Sequence, residues 1–169
     1  MLDAAARLLE ARQRSVDEMR RRLSGLGYPA DLVEECIARL LELGYLDDDA
    51  FARTWVESRD RARPRGERAL RTELSRKGVE RDLVDAVLDD RRADAAVEAD
   101  GASPDDAAAE RLLRKRLSGI MRLPDPRARL QRAYALLART GFGSDICSTV
   151  ARRVLAAEAD ATTIVEDEI

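Results

Sequence analysis

The stretch 74–83, LSRKGVERDL, has two counterparts in the chain: 23–32, LSGLGYPADL, and 137–146, LARTGFGSDI. All three carry a leucine, a glycine four residues later, an aspartate four after that, and then an apolar residue. The positions are Leu23, Gly27, Asp31 and Leu32; Leu74, Gly78, Asp82 and Leu83; and Leu137, Gly141, Asp145 and Ile146. Each set reads as one helix closed by a C′ glycine, a short turn, and a second helix opened by an aspartate whose carboxylate accepts from free backbone amides. A supersecondary unit written three times decides the architecture. The glycines are 51 and 63 residues apart, so the units differ in their insertions and do not form a strict solenoid. The expected fold is all-α, an extended tandem array of three three-helix repeats resembling helix-turn-helix units.

Outward from these turns, repeat one covers 1–45, repeat two 46–100 and repeat three 101–158, with a disordered acidic tail over 159–169. In repeat one a helix over roughly Asp3 to Arg12 places Ala5, Leu8, Leu9 and Arg12 on one face. Ser15 with Glu18 forms an S-x-x-E capping box for a helix that turns Val16, Met19 and Leu23 inward. Asp31 with Glu34 repeats that box, and Leu32, Val33, Cys36, Ile37, Leu40 and Leu41 give the third helix a wide apolar stripe ending at Gly44. Repeat two opens with LDDDAF, where one of Asp47 to Asp49 caps a helix lined by Phe51, Ala52, Trp55, Val56 and Arg59. Pro64 and Gly66 end that helix near Ala62 and start the next near Gly66, with Leu70 and Leu74 inward. Leu83, Val84, Val87 and Leu88 line the third helix, which can run on through RRADAAVEAD. A hinge falls at Asp100 to Pro104, where Ser103 caps and Pro104 takes the first helical position. Repeat three follows with a helix to about Leu117, the loop SGIMRLPDP, a helix through Leu130, Tyr134 and Leu137, and a last helix from Asp145 to about Ala157. Gly27, Gly78, Gly141, Asp31, Asp82, Asp145, Phe51 and Trp55 are the positions read as structural.

Composition narrows the function. Of 169 residues 45% are hydrophobic, which permits a core, but 4% aromatics and 37% charged residues imply thin leucine and alanine packing under a heavily solvated surface. The apolar runs are far shorter than a spanning helix of about 20 residues, so a soluble protein of the cytoplasm is expected. Histidine is absent, which removes the usual base of serine or cysteine triads and the commonest zinc ligand. No catalytic, cofactor or metal site is expected. The LDDD run is first an N-cap cluster, because adjacent helical carboxylates point in different directions. Cys36 and Cys147 lie on apolar stretches and read as small buried hydrophobes, with a disulfide or redox switch as the alternative.

The net charge of −3 hides segregation. Residues 52–77 carry nine bases against four acids, and 111–139 nine bases against Asp125 alone; 82–110 carries ten acids against Arg91 and Arg92. A major-groove reader is disfavoured, since two of the three helices after the glycines begin with the acidic runs DLVEE and DLVDA, which phosphate repels. The bases Arg59, Arg63, Arg65, Arg68, Arg71 and Lys77, followed by Arg114, Lys115 and Arg122, remain candidate partner-binding residues; a solvated charged face is the plainer reading of the same cluster. Binding of single strands by stacking needs exposed aromatics among the bases, whereas Phe51, Trp55, Tyr134 and Phe142 fall on inward stripes.

The segment LDDDAFARTWVESRDRARPRGERALRTELSRKG resembles the signature of the RecX family, bacterial regulators of the recombinase RecA. Leu46, Asp47, Asp48, Phe51, Ala52, Val56, Arg59, Arg63, Gly66, Leu70, Glu73, Leu74, Lys77 and Gly78 carry the resemblance. Ala6, Leu8, Leu9, Arg12, Ser15, Glu18, Leu23 and Gly27 extend it before, and Leu130, Leu136, Leu137, Arg139, Gly141, Phe142, Ile146 and Val150 after. The resemblance implies a monomeric, non-enzymatic protein of DNA repair, recombination and the SOS response. It would lie in the groove of the RecA filament on single-stranded DNA and modulate, mainly inhibit, RecA, with weak direct DNA binding besides. The alternatives are a nucleic-acid-binding helical repeat protein and a helical scaffold for other partners.

Overall fold

The computed structural model describes the backbone of residues 1–98 and 103–167 and the side chains of 1–95 and 103–160. Among the described residues there are ten helices and no strand: α1 (Leu2–Ala11), α2 (Val16–Gly25), α3 (Ala30–Glu42), α4 (Asp48–Ala62), α5 (Glu67–Arg76), α6 (Arg81–Glu98), α7 (Pro104–Arg114), α8 (Leu117–Met121), α9 (Pro126–Arg139) and α10 (Ser144–Asp167). Local signals account for most boundaries. Ser15 Oγ accepts from the Glu18 amide at 3.1 Å, and Asp47 Oδ1 accepts from the amides of Asp49 and Ala50 at 2.9 and 3.0 Å. Ser103 Oγ accepts from the Asp106 amide with Pro104 as the first helical residue, while the rest of the expected hinge, Asp100 to Ala102, lies outside the described residues. Gly27, Gly78 and Gly141 all take positive φ, at 87°, 79° and 89°, just past the ends of α2, α5 and α9.

Several expectations are corrected. Asp31, Asp82 and Asp145 do not flank their helices but sit inside the first turn, since α3, α6 and α10 each begin one residue earlier. The residue flanking α3 is Pro29, which makes no side-chain cap, and Glu34 pairs with Arg20 at 2.6 Å. The carboxylate of Asp31 thus acts on α3 only through the positive end of the helix. α7 stops at Arg114, and the short α8 occupies part of the expected loop. α10 continues to Asp167 where a frayed tail was expected from 159; the sequence after Ala157 contains neither glycine nor proline to stop it. Leu32 and Leu41, read as inward, are exposed.

The chain divides into two compact units. Unit 1 comprises Met1–Glu57 and Arg71–Leu88, and unit 2 comprises Ser58–Leu70 and Asp89–Ile169, so each helix of the second repeat contributes to both. Unit 1 buries Ala5, Met19, Leu23, Val33, Cys36, Ile37, Leu40 and Leu46 as one cluster. A fully buried side chain such as Met19 or Leu23 contributes about 1.5–3 kcal/mol relative to exposure. Ser15, with no exposed surface, links two helix ends: its hydroxyl caps α2 and donates to the Lys77 carbonyl just past α5. Asp48 Oδ1 accepts from the Val16 amide at 2.9 Å, tying the start of α4 to the start of α2.

Unit 2 buries Ala108, Ala109, Leu113, Leu117, Ile120, Ala133, Leu137, Phe142, Cys147, Val150, Ala151 and Val154. Both thiols are free and buried, and burial raises the pKa of each. A single arginine organises the start of the unit. Arg91, 8% exposed, reaches Asp60 through two bonds of 2.8 Å and Asp105 at 2.7 Å, and Asp105 also accepts from the Glu67 amide at 3.0 Å. The end of α4, the start of α5, the middle of α6 and the first turn of α7 therefore meet at one charge. Gly66 donates to Thr140 O at 3.0 Å, so close to the backbone of Gly141 and Phe142 that no Cβ fits there. That contact lays the proline-containing segment 63–66 against the turn between α9 and α10.

Candidate partner-binding surface

The two base-rich stretches meet different fates. In 52–77, Lys77 lies in unit 1 with 19% of its side chain exposed. Its ammonium is 2.6 Å from Glu18 and 4.4 Å from the centre of the Trp55 ring. Trp55 in turn donates to Glu73 at 2.9 Å and stacks on Phe51 with ring centroids 5.9 Å apart. Burial opposes ionisation of Glu18, but hydrogen bonds from Arg12 and Lys77 outweigh it and lower its pKa to about 2. Arg71 pairs with Asp85, Arg53 with Asp49 at 2.8 Å, and Arg59, Arg65 and Arg68 are also engaged. Of the bases expected here at an interface, Lys77 and Arg71 are thus committed to the fold of unit 1, whereas Arg63 has neither an ion pair nor a side-chain hydrogen bond among the described residues.

In 111–139 the position is reversed. Arg114 pairs with Glu110 at 2.7 Å, Arg111 reaches the Asp60 carbonyl and Arg129 the Leu123 carbonyl. Lys115, Arg116, Arg122, Arg127, Arg132 and Arg139 have no ion pair or side-chain hydrogen bond among the described residues, and apart from Asp125 the stretch supplies no acid to give them one.

Two clefts of about 500 Å³ each on unit 2 gather four of these cations, Lys115, Arg116, Arg132 and Arg139. One is lined by Arg116, Arg132 and Arg139 over Ile120, Leu123 and Leu136; the other by Arg63, Arg65, Lys115 and Arg116 beside Pro64 and Thr140. Arg116 belongs to both, and neither lining contains an acid. The sequence places Arg132 and Arg139 two turns apart on α9, hence on one face, and the hydrogen bond from Gly66 to Thr140 brings Arg63 and Arg65 alongside. Such a surface takes carboxylates or phosphates through forked, charge-assisted hydrogen bonds. Sequence reading found Arg63, Arg65 and Lys115 of this set but missed Arg116, Arg132 and Arg139, although all three lie in the segment whose only acid is Asp125. Arg68 and Arg122 are exposed outside both linings. No group of metal ligands occurs among the described residues, nor a helix long and apolar enough to cross a membrane.

Comparison with known proteins gives a consistent answer. Residues 2–40 match the family described as RecX, first three-helix domain, and residues 47–88 match RecX, second three-helix domain. The regulatory protein RecX of Mycobacterium avium (strain 104) is 37% identical over 152 residues, covering 90% of this chain and 83% of that protein. The regulatory protein RecX of Mycobacterium tuberculosis (strain ATCC 25618 / H37Rv) is 37% identical over 155 residues, covering 90% and 84%. The fold is shared with the crystal structure of RecX from Lactobacillus salivarius, at a TM-score of 0.73 and 20% identity over 90% of this chain and 92% of that one. Identity of this level across nine-tenths of the chain decides the matter: the chain belongs to the RecX family of regulatory proteins.

Proposed function

We propose that the chain binds the RecA filament on single-stranded DNA, lying in its groove, and modulates RecA, mainly by inhibition. It would act as a cytoplasmic monomer that performs no chemistry of its own. The observation that carries this reading is that Arg63, Lys115, Arg116, Arg132 and Arg139, none with an ion pair or side-chain hydrogen bond among the described residues, line two clefts of unit 2 whose linings contain no acid. A nucleoprotein filament offers both carboxylates and phosphates in a repeating array. Several modest contacts made by one chain then add through effective concentration, so weak individual pairs suffice.

The test replaces Arg116, Arg132 and Arg139 together by alanine. All three are exposed, so helicity and melting should change little, while binding to RecA on single-stranded DNA should weaken by about tenfold or more. Binding as tight as the parent's across a salt series would show these cations to be a solvated face.

A further inference from the structure

Tyr134 lies with Leu130 and Leu137 on a helical stripe that predicts an inward ring, yet the structure leaves it 38% exposed. Its neighbours are unusual. On α9, Arg127, Gln131 and Tyr134 share one face at spacings of four and three residues; on α10, Ser148 and Arg152 do the same, and α9 packs along α10. These five residues and Leu130 line an open cleft of about 290 Å³ that contains no acid. Neither the Arg127 nor the Arg152 guanidinium has an ion pair or side-chain hydrogen bond among the described residues.

A lone exposed aromatic on a protein surface is ordinary. Here the ring comes with an apolar floor from Leu130, two uncompensated cations, and an amide and a hydroxyl at its edge. A partner carboxylate would use the arginines and ignore the ring. An unpaired nucleobase uses everything: its face stacks on the phenol, its edge meets Gln131 and Ser148, and the phosphates flanking it meet the guanidiniums. The small volume suits one planar group and not a larger ligand. We propose that Tyr134 is a stacking platform for one unpaired base of single-stranded DNA, with Arg127 and Arg152 holding its phosphates. The choice of DNA over RNA rests on the filament reading; the stacking and charge arguments do not.

The experiment uses the full chain without RecA and a fluorescently labelled oligo(dT) at low salt. Tyr134→Ala should weaken binding about tenfold, and Tyr134→Phe should keep it, because the ring face and not the hydroxyl is used. A strand of the same length with abasic sugars should bind the parent more weakly and be insensitive to Tyr134→Ala. Arg127→Ala with Arg152→Ala should weaken binding and flatten its salt dependence. Equal affinity of Tyr134→Ala and the parent for oligo(dT), or the same loss on the abasic strand, overturns the platform. Preference for oligo(rU) over oligo(dT) overturns the assignment to DNA. Because RecA is absent, failure here leaves the filament reading standing; a chain that binds oligo(dT) through Tyr134 but ignores RecA sinks that reading and not this one.

Discussion

Residues 52–77 and 111–139 carry nine bases each, and nothing in their counts sets them apart. The first stretch folds among acids. Glu18 reaches Lys77, Asp85 reaches Arg71 and Asp49 reaches Arg53, so most of its cations bind their own chain. The second has only Asp125 within it, and six of its nine bases have neither an ion pair nor a side-chain hydrogen bond among the described residues. The difference teaches that the number of bases in a run does not tell which of them the fold leaves without counter-charges. A base left so contributes little to stability and keeps its hydrogen-bonding capacity for a partner.

The comparison can be broken most forcefully at Arg91, which serves the first stretch through Asp60. Arg91→Ala leaves Asp60 and the buried Asp105 facing one another without a cation, and should destabilise by about 3–5 kcal/mol in urea unfolding. A loss under 1 kcal/mol would mean that water replaces the arginine and that this ion network is not structural. Gly78→Val comes next: the position has φ 79°, and a Cβ there would strike Asp17. About 2–3 kcal/mol of destabilisation is expected from backbone strain and that clash. An unchanged urea midpoint would contradict the left-handed turn at the end of α5.

A double dissociation sharpens the contrast. Lys77→Met should lower stability by about 1–2 kcal/mol and leave filament binding unchanged, while Arg139→Ala should do the reverse, with stability within about 0.5 kcal/mol of the parent. If Lys77→Met weakens binding at full folding, the first stretch is an interface after all. The same cluster yields a pH dependence. The Glu18 carboxyl is held at about 2 against an ordinary 4.5, so its contribution is complete above 4.5 and is lost as the pH falls from there towards 2. Lys77→Met removes part of that depression, so acid unfolding, followed by the fluorescence of Trp55, the chain's one tryptophan, should begin at higher pH than in the parent. Coincident acid transitions would show that Arg12 alone holds the carboxylate. The smallest effect is expected at Arg122, exposed and outside both clefts: Arg122→Ala should change melting and binding by less than about 0.5 kcal/mol each.

How far the sequence could be read follows the range of each force. Ser15, Asp47 and Ser103 announce their helices because a cap is made within three residues. Gly27, Gly78 and Gly141 announce the ends because a positive φ is a local demand. Asp31, Asp82 and Asp145 were expected at the cap and lie two positions further in, since a carboxylate favours the positive end of a helix from inside the first turn as well as from the cap. Leu32, Leu41 and Tyr134 satisfy a helical stripe as well as their buried neighbours do, and periodicity cannot say where the edge of a stripe runs out of partners. Within the candidate surface, Arg63, Arg65 and Lys115 were legible as members of basic runs, whereas their meeting with Arg116 depends on Gly66 reaching Thr140.

The sequence by itself determined an all-helical chain of repeated units, the positions of its turns, the absence of histidine chemistry and the existence of two basic stretches. Those properties are written in composition, in spacings of three and four residues, and in the φ preferences of glycine. Only the tertiary structure decided which cations are neutralised. Lys77 and Glu18 are 59 residues apart, and Arg91 and Asp60 are 31 apart. Coulomb attraction falls steeply with distance in water, so the fate of each charge depends on which helices the packing of leucine and alanine brings side by side.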